Sequence, residues 1–349
     1  MQIKEIKNQK EWEKYLKLTK RNTFLQTWQW GEFQKYLSKK VERVAIFLND
    51  RFIGMSLCII ETSRFEKYVY CPRGPLLVED TVEKYTQVLG ALKEFWSSKD
   101  VGSIKVDPAF VKDSEIAKVP GKIGFTHSVN FIQSEHNWMI DLEGSSEEEL
   151  FDWCKEHGMS SNYPTYIRRA RRKGVEITFS KEKKDWDLFY TYLKIGAQRK
   201  DFAVKSRKYH MGLWEYLDNR ENILRLGIAK KDDKILAMIV VAVYGDEVST
   251  LYSTQTDTDS NLRAPMLLRW ECMLMGQKES VRRFNNWGVL PNERYEKGNP
   301  GYGYSHYKRS FGGYLESIER TYEYSFKKLP HLLQRLYDWY IKLRYYRFR

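Results

Sequence analysis

Lys308 stands at the centre of the stretch best suited to chemistry, Gly301-Tyr-Gly-Tyr-Ser-His-Tyr-Lys-Arg-Ser-Phe-Gly-Gly313, which follows Phe284-Asn-Asn-Trp-Gly-Val-Leu-Pro291. The pattern predicts a short buried strand, a Gly/Pro/Asn loop and an aromatic segment closed by two glycines, which together fix a cation beside a mobile rim. With residues 304 to 309 extended, His306 and Lys308 share one face, a proton acceptor two residues from a positive charge. Such a cation can stabilise a developing oxyanion or a departing oxygen. An ordinary edge strand with its lysine in water fits the same local pattern. Asp107, stopped by Pro108 after a strand at 102 to 106, has a defined direction at a sheet terminus, where ligands often sit. A structural cap would look the same.

Two further stretches concentrate positive charge. Tyr163-Pro-Thr-Tyr-Ile-Arg-Arg-Ala-Arg-Arg-Lys-Gly174 places five cations within six positions of a helix that Gly174 ends, with Arg168 one turn from Arg172 and Arg169 one turn from Lys173. That density opposes itself by a few tenths of a kcal/mol per pair and suits a phosphate-rich partner or a solvated face. The connector Arg199-Lys-Asp-Phe-Ala-Val-Lys-Ser-Arg-Lys-Tyr209 is basic and aromatic between two helices, a place where recognition residues gather. Against these stand the missing motifs: no G-x-G-x-x-G after a strand, no G-x-x-x-x-G-K-[ST], no G-x-S-x-G and no H-E-x-x-H. Histidines 127, 136, 157, 210, 306 and 331 lack zinc spacing, so neither a metal nor a cofactor is expected. Group transfer by positioning and electrostatics fits.

The elements that must hold these residues follow from periodicity. Helices are predicted at 9 to 20, at a second segment carrying Trp30, Phe33 and Leu37 with Lys35 off its apolar stripe, and at 82 to 98. Strands at 41 to 49 and 51 to 60 turn at Asn49-Asp50, a third lies at 66 to 71, and one near 137 to 142 closes this first unit. A capping box, Ser145 or Ser146 with Glu148 or Glu149, opens a second unit of similar plan. Its helices fall at 163 to 173, 184 to 200, 209 to 218 and 263 to 278, and its strands at 175 to 179, 223 to 230, 234 to 243 and 247 to 254. A strand at 313 to 325 and a helix at 329 to 346 end the chain. The repeated plan suggests a duplicated fold. The last helix, with Trp339, Tyr340 and a basic tail, is expected to pack on the first unit; a membrane surface is the alternative.

Length and composition agree with this. A chain of 349 residues exceeds the usual span of one core, and 42% hydrophobic with 15% aromatic residues can fill two. The formal charge of +13 favours polyanionic partners without choosing among nucleic acid, nucleotide diphosphates and anionic lipid. Cys58, Cys71, Cys154 and Cys272 sit in mostly apolar contexts without C-x-x-C spacing, which fits a reduced cytoplasm, and no run of eighteen apolar residues suggests a membrane span.

Leu25-Gln-Thr-Trp-Gln-Trp-Gly-Glu-Phe-Gln34, Tyr70-Cys-Pro-Arg-Gly-Pro75, Ile104-Lys-Val-Asp-Pro108, Ile167-Arg-Arg-Ala-Arg-Arg-Lys-Gly-Val175, Arg199-Lys-Asp-Phe202 with Arg207, and Tyr307-Lys-Arg-Ser-Phe-Gly-Gly313 run in this order along the chain. Together they resemble the FemABX family, whose members use aminoacyl-tRNA to add amino acids to the side-chain amine of peptidoglycan precursors. The resemblance implies an α/β fold of two tandem GNAT-like domains with mixed sheets: residues 1–144 completed by the returning segment 318–349, and residues 145–317. It implies that Lys35 and Arg207 hold the precursor diphosphate, that Tyr209, Tyr252 and Tyr307 line the substrate cleft, and that Asp107 lies near the acceptor peptide, where as a catalytic residue it could orient the attacking amine or receive its proton. Lys308 matches the lysine at the reaction centre and tRNA acceptor end, and Arg168, Arg169 and Arg172 would meet the tRNA. The family has phenylalanine before that lysine, where Tyr307 stands here. No heptad arm interrupts residues 150 to 300, which is the compact form. The expected partners are aminoacyl-tRNA and a UDP-linked or lipid-linked muramyl pentapeptide, met by a monomer in the cytoplasm or at the membrane's inner face. An acyl-CoA N-acyltransferase and an RNA-binding or membrane adaptor are the alternatives; the first lacks its pyrophosphate loop and the second any known RNA-binding module.

Overall fold

The computed structural model describes residues 1–21, 23–200, 202–256 and 259–347; Asp201 of the basic connector and Phe348 and Arg349 of the basic tail lie outside them. Two compact units are present, one from Met1–Glu135 with Ser317–Arg349 and one from His136–Glu316.

The first unit begins with β1 (Gln2–Glu5), α1 (Gln9–Leu16), α2 (Trp28–Tyr36), β2 (Lys40–Leu48), β3 (Arg51–Thr62), β4 (Lys67–Cys71) and β5 (Leu76–Leu77). It continues with α3 (Val82–Ser97), β6 (Ser103–Val106), α4 (Val119–Lys122) and β7 (Thr126–His127). The second comprises β8 (His136–Asp141), α5 (Glu147–Glu156), α6 (Tyr163–Arg172), β9 (Glu176–Ser180), α7 (Lys183–Lys200) and α8 (Arg207–Leu213). Then come β10 (Leu224–Lys231), β11 (Lys234–Tyr244), β12 (Glu247–Gln255), α9 (Ala264–Lys278), β13 (Arg283–Gly288), α10 (Tyr302–Arg309) and β14 (Tyr314–Ser317). The chain returns to the first unit with β15 (Tyr322–Ser325) and α11 (Lys328–Arg347).

The sheet of the first unit runs β1-β2-β3-β4-β6-β15-β7, with β5 beside β3. Its hairpin turns at Asn49 and Asp50, both left-handed at φ 48 and 62, as a two-residue turn requires. Val88, Leu89, Leu92 and Trp96 of α3 pack against Val44, Ile46, Val69 and Ile104 of the sheet. The second sheet runs β14-β8-β13-β12-β11-β10-β9, and its core joins Leu150 and Phe151 of α5, Ile167 of α6 and Leu267 and Trp270 of α9. Asp232 and Asp233 repeat the left-handed hairpin turn. Among the strand pairs whose register is described, each sheet contains one parallel pair, β4 with β6 and β12 with β13. The plan expected from the sequence is therefore present twice.

Several expectations are corrected. Residues 302–309 are helical, not extended: Gly301 enters at φ 92, and Ser305 faces inward, its hydroxyl oxygen accepting from the backbone N–H of Leu290. In a helix, residues two apart diverge, so His306 and Lys308 do not share a face. The strand near 137 to 142 belongs to the second sheet, because β8 pairs with β13 and lies beside β14. The single strand over 313 to 325 is two, β14 and β15, in different sheets. The first helix ends at Leu16, and α8 begins at Arg207 and passes into a wider π turn at Trp214–Asn219.

Candidate functional site

In the second unit β12 and β13 pair only from Glu247↔Arg283 to Ser249↔Asn285. Beyond that the register of β13 against β8 shifts between Asn285 and Gly288, and Trp287 takes φ 59, held by its N–H donating 2.7 Å to Asn285 Oδ1. A bulge at a strand end re-aims backbone groups, and a non-glycine residue in the left-handed region marks a position fixed by its surroundings. The re-aimed carbonyl of Gly288 accepts from Lys308 Nζ at 2.6 Å. Lys308 thus projects from α10 to the C-terminal end of the parallel pair, where open mixed sheets commonly bind ligands.

The electrostatics of this point are unusual. Burial, followed by the nearby Arg269 guanidinium, brings the Lys308 ammonium down to about 7. Arg269 is itself buried at 3% exposure; it donates to Asn286 Oδ1 and lies 5.2 Å from the Tyr307 ring centre. The Tyr307 hydroxyl donates 3.0 Å to the carbonyl of Pro265, so the extra oxygen relative to phenylalanine is satisfied in the first turn of α9. Tyr307 also lines a cleft of about 160 Å³ with Gln255, Arg263, Pro265 and Met266. Arg269 is not among the residues that the sequence motifs single out. Its signal there is a single arginine inside the apolar run Met266-Leu-Leu-Arg-Trp270.

Tyr209 and Tyr252 do come together, with hydroxyls 3.4 Å apart, and burial raises both phenols. Between them lies His210, fully buried, with ring centres 5.6 Å from Tyr209 and 5.1 Å from Tyr252. Neither His210 nitrogen has a hydrogen-bond partner among the described residues, and burial brings the imidazole down to about 4, so it is neutral at physiological pH. Arg207, in the first turn of α8, is exposed and ion-paired with Asp187.

The arginine helix α6 divides its cations. Arg171 bridges Glu147 at 2.7 Å and Glu271 at 2.6 Å, tying α6 to α5 and α9. Arg168 pairs with Glu148 at 3.0 Å on the surface. Arg169 and Arg172 are exposed and have no carboxylate partner among the described residues.

In the first unit, Asp107 follows β6 at the end of the other parallel pair and is 1% exposed. Its Oδ1 accepts from the Arg73 backbone N–H at 2.7 Å and its Oδ2 from the Tyr70 hydroxyl at 2.9 Å. Burial raises its carboxyl to about 6 against the opposing pull of Arg73 and Tyr70. Both oxygens are engaged, so here Asp107 orders the Tyr70–Arg73 turn. Arg73 in turn donates 2.7 Å to the carbonyl of Ser134. Lys35 is exposed on α2 and pairs with Glu32 at 2.9 Å, whose same oxygen takes the buried Arg43. Lys35 and Asp107 share no partner. Among the described residues no cluster of three His, Cys, Asp or Glu side chains could hold a metal, and no helix is long and apolar enough to cross a membrane.

Two mixed sheets, each with one internal parallel pair and covering helices, define a protein of tandem GNAT-like domains. The FemAB family model matches residues 8–119 and the acetyltransferase (GNAT) domain model residues 160–309. The crystal structure of FemX superposes at a TM-score of 0.84, covering 96% of this chain and 100% of that one at 15% identity. L-PGS from Bacillus licheniformis is similar at 0.57, covering 96% of this chain and 98% of that one at 12% identity. A tandem GNAT protein from the clavulanic acid biosynthesis pathway follows at 0.52, covering 93% and 99% at 9% identity. No curated relative matches by sequence. Residues 8–119 thus resemble the FemAB family, and the whole chain is similar in fold to FemX.

Proposed function

We propose that this chain transfers an amino acid from aminoacyl-tRNA to the side-chain amine of a peptidoglycan precursor. The observation that carries the reading is the Lys308 ammonium, held by the Gly288 carbonyl at the end of the parallel pair, in a chain whose residues 8–119 match the FemAB family model and whose fold is similar to FemX. The ester is already activated, so no covalent enzyme intermediate is needed. The neutral amine of the precursor attacks the ester carbonyl, the C–N bond forms, and the carbonyl oxygen becomes an oxyanion. The C–O bond to the ribose then breaks, and the proton lost by the amine ends on the ribose oxygen. Lys308 supplies positive charge to the oxyanion or the departing oxygen.

The remaining roles are proposed on the same basis. Arg168, Arg169 and Arg172 meet tRNA phosphates; Arg207 and Lys35 exchange their carboxylate partners for the precursor diphosphate; Tyr209, Tyr252 and Tyr307 line the cleft. Asp107 acts as a positioning residue through Arg73 and Tyr70. The assignment of two domains, expected at 1–144 with 318–349 and at 145–317, is kept as a proposal with its first boundary moved to 135, since β8 belongs to the second sheet; the monomeric state is likewise a proposal. The precursor is UDP-linked, or lipid-linked and met at a membrane surface.

The test is transfer of radiolabelled amino acids from a mixed aminoacyl-tRNA pool to UDP-linked muramyl pentapeptide and to its lipid-linked form. Label on one acceptor supports the reading and identifies both amino acid and precursor. No label on either, with folded protein and charged tRNA, overturns it.

A further inference from the structure

Helix α11 is amphipathic in the direction opposite to that of a packed surface helix. His331 and Gln334 face inward at 7% exposure each, whereas Leu329, Leu332, Leu333, Leu336, Trp339, Tyr340 and Leu343 are 40–68% exposed. These positions recur at helical intervals of three and four, so they form one continuous stripe on the solvent side. The inward face is held by polar contacts: His331 Nδ1 to Glu66 at 3.1 Å, Gln334 Oε1 accepting from the Phe65 N–H at 3.2 Å, and Arg335 to Glu323. The helix is therefore anchored without using the apolar side chains of the stripe; Tyr337, outside it, meets Phe65 edge to face. Two adjoining segments add to the stripe's surroundings. Phe65 is 41% exposed beside Tyr337, and Phe131 is 62% exposed in the segment reached by Lys342 through the Val129 carbonyl.

We propose that this stripe is a docking face for an anionic bilayer, with α11 lying in the plane of the lipid headgroups. Charge selects this occupant. The helix carries Lys328, Arg335, Lys342, Arg344 and Arg347 against one acid, Asp338, whose carboxylate is turned to Gln334. At helical spacing Lys328 and Lys342 fall along one border of the stripe and Arg344 along the other, while Arg335 is turned inward to Glu323. A second copy placed stripe to stripe would set these cations against each other, whereas anionic headgroups complement them. Trp339 and Tyr340 combine apolar rings with polar tips, the side chains suited to the headgroup boundary. The inference stands independently of the proposed reaction.

The experiment is flotation of the full chain with phosphatidylglycerol/phosphatidylcholine vesicles and with phosphatidylcholine vesicles alone, together with its oligomeric state by light scattering. A double variant, Leu336→Ser with Trp339→Ser, changes only exposed side chains and keeps the inward contacts; circular dichroism checks its fold. The expected result is binding of the wild-type monomer to the anionic vesicles, at least tenfold weaker binding by the folded double variant, and weakening by salt. Equal binding of the two proteins, no binding by the wild type, or a wild-type dimer that the variant dissolves would each overturn the proposal.

Discussion

A lysine brought to about 7 by burial and by Arg269 has its charge at stake in the physiological range. If that charge stabilises the oxyanion, Lys308→Met lowers kcat/KM by about a hundredfold to a thousandfold, the usual consequence of removing one preorganised donor. The substrate amine titrates identically in both proteins, so the ratio of wild-type to variant rates isolates the lysine. That ratio should be largest below pH 7 and narrow as pH rises through it. A ratio flat with pH, or a loss under fivefold in folded protein, would remove Lys308 from the centre. Asp107 offers a second test with stability as the readout. Its folded carboxyl lies at about 6, above the ordinary value, so its contribution is fully present below about pH 4 and is lost as pH rises through 6. Asp107→Asn cannot titrate. Relative to wild type, its unfolding free energy should shift favourably by up to roughly 3 kcal/mol between pH 3.5 and 7, two pH units at 1.36 kcal/mol each. Urea denaturation at the two pH values measures this.

Among the elements, α11 depends on a charge cluster with a defined pH window. Burial alone would lower the His331 imidazole, but hydrogen bonds to Glu323 and Glu66 lift it to about 9. Burial alone would raise Glu323, but His331, with Lys105 and Arg335, holds it at about 2. The histidine contribution is fully present below about pH 6.5 and lost as pH rises through 9; the glutamate contribution is present above about pH 4.5 and lost toward 2. His331→Asn should therefore lower Tm at pH 6 and cost progressively less toward pH 9.5, as thermal scans would show. A constant difference would mean that the cluster does not hold the helix through charge. This anchoring was not legible in the sequence, because Glu66 and His331 are distant in the chain and both stand in polar surroundings. The hairpins at Asn49-Asp50 and Asp232-Asp233 were legible because the turn chemistry is local. Segment 302–309 misled because alternating tyrosines suggest a strand, while the seat of Ser305 under Leu290 is a tertiary contact. Lys308, Tyr209 and Tyr252 are proposed from the resemblance to the family, and their roles stand as proposals. Arg269 could not be named that way, since its role comes only from facing Asn286 and Tyr307.

Over the whole molecule, the surplus of 59 basic over 46 acidic residues sets a long-range attraction for any polyanion, and the positions of the cations decide how it is used. Arg168, Arg169 and Arg172 lie on the exposed part of α6, and the ion pair of Arg168 with Glu148 is a surface pair worth about 0–1 kcal/mol that phosphate can displace. Arg171 instead joins three helices through Glu147 and Glu271. Neighbouring residues should thus separate into a binding class and a folding class. Replacing Arg168, Arg169 and Arg172 together by alanine should leave thermal stability within about 0.5 kcal/mol per site and weaken tRNA binding. The slope of log Kd against log salt should fall by about 0.9 for each phosphate that is no longer neutralised. Arg171→Ala should lower stability by about 1–2 kcal/mol, less than a fully buried charged network would, because a third of its side chain remains in water. Its salt slope should match the wild type once folded. Filter binding across a salt series, with denaturation on the same samples, separates the two. An unchanged slope in the triple variant would show that α6 is a solvated face and that the tRNA meets other cations of the chain.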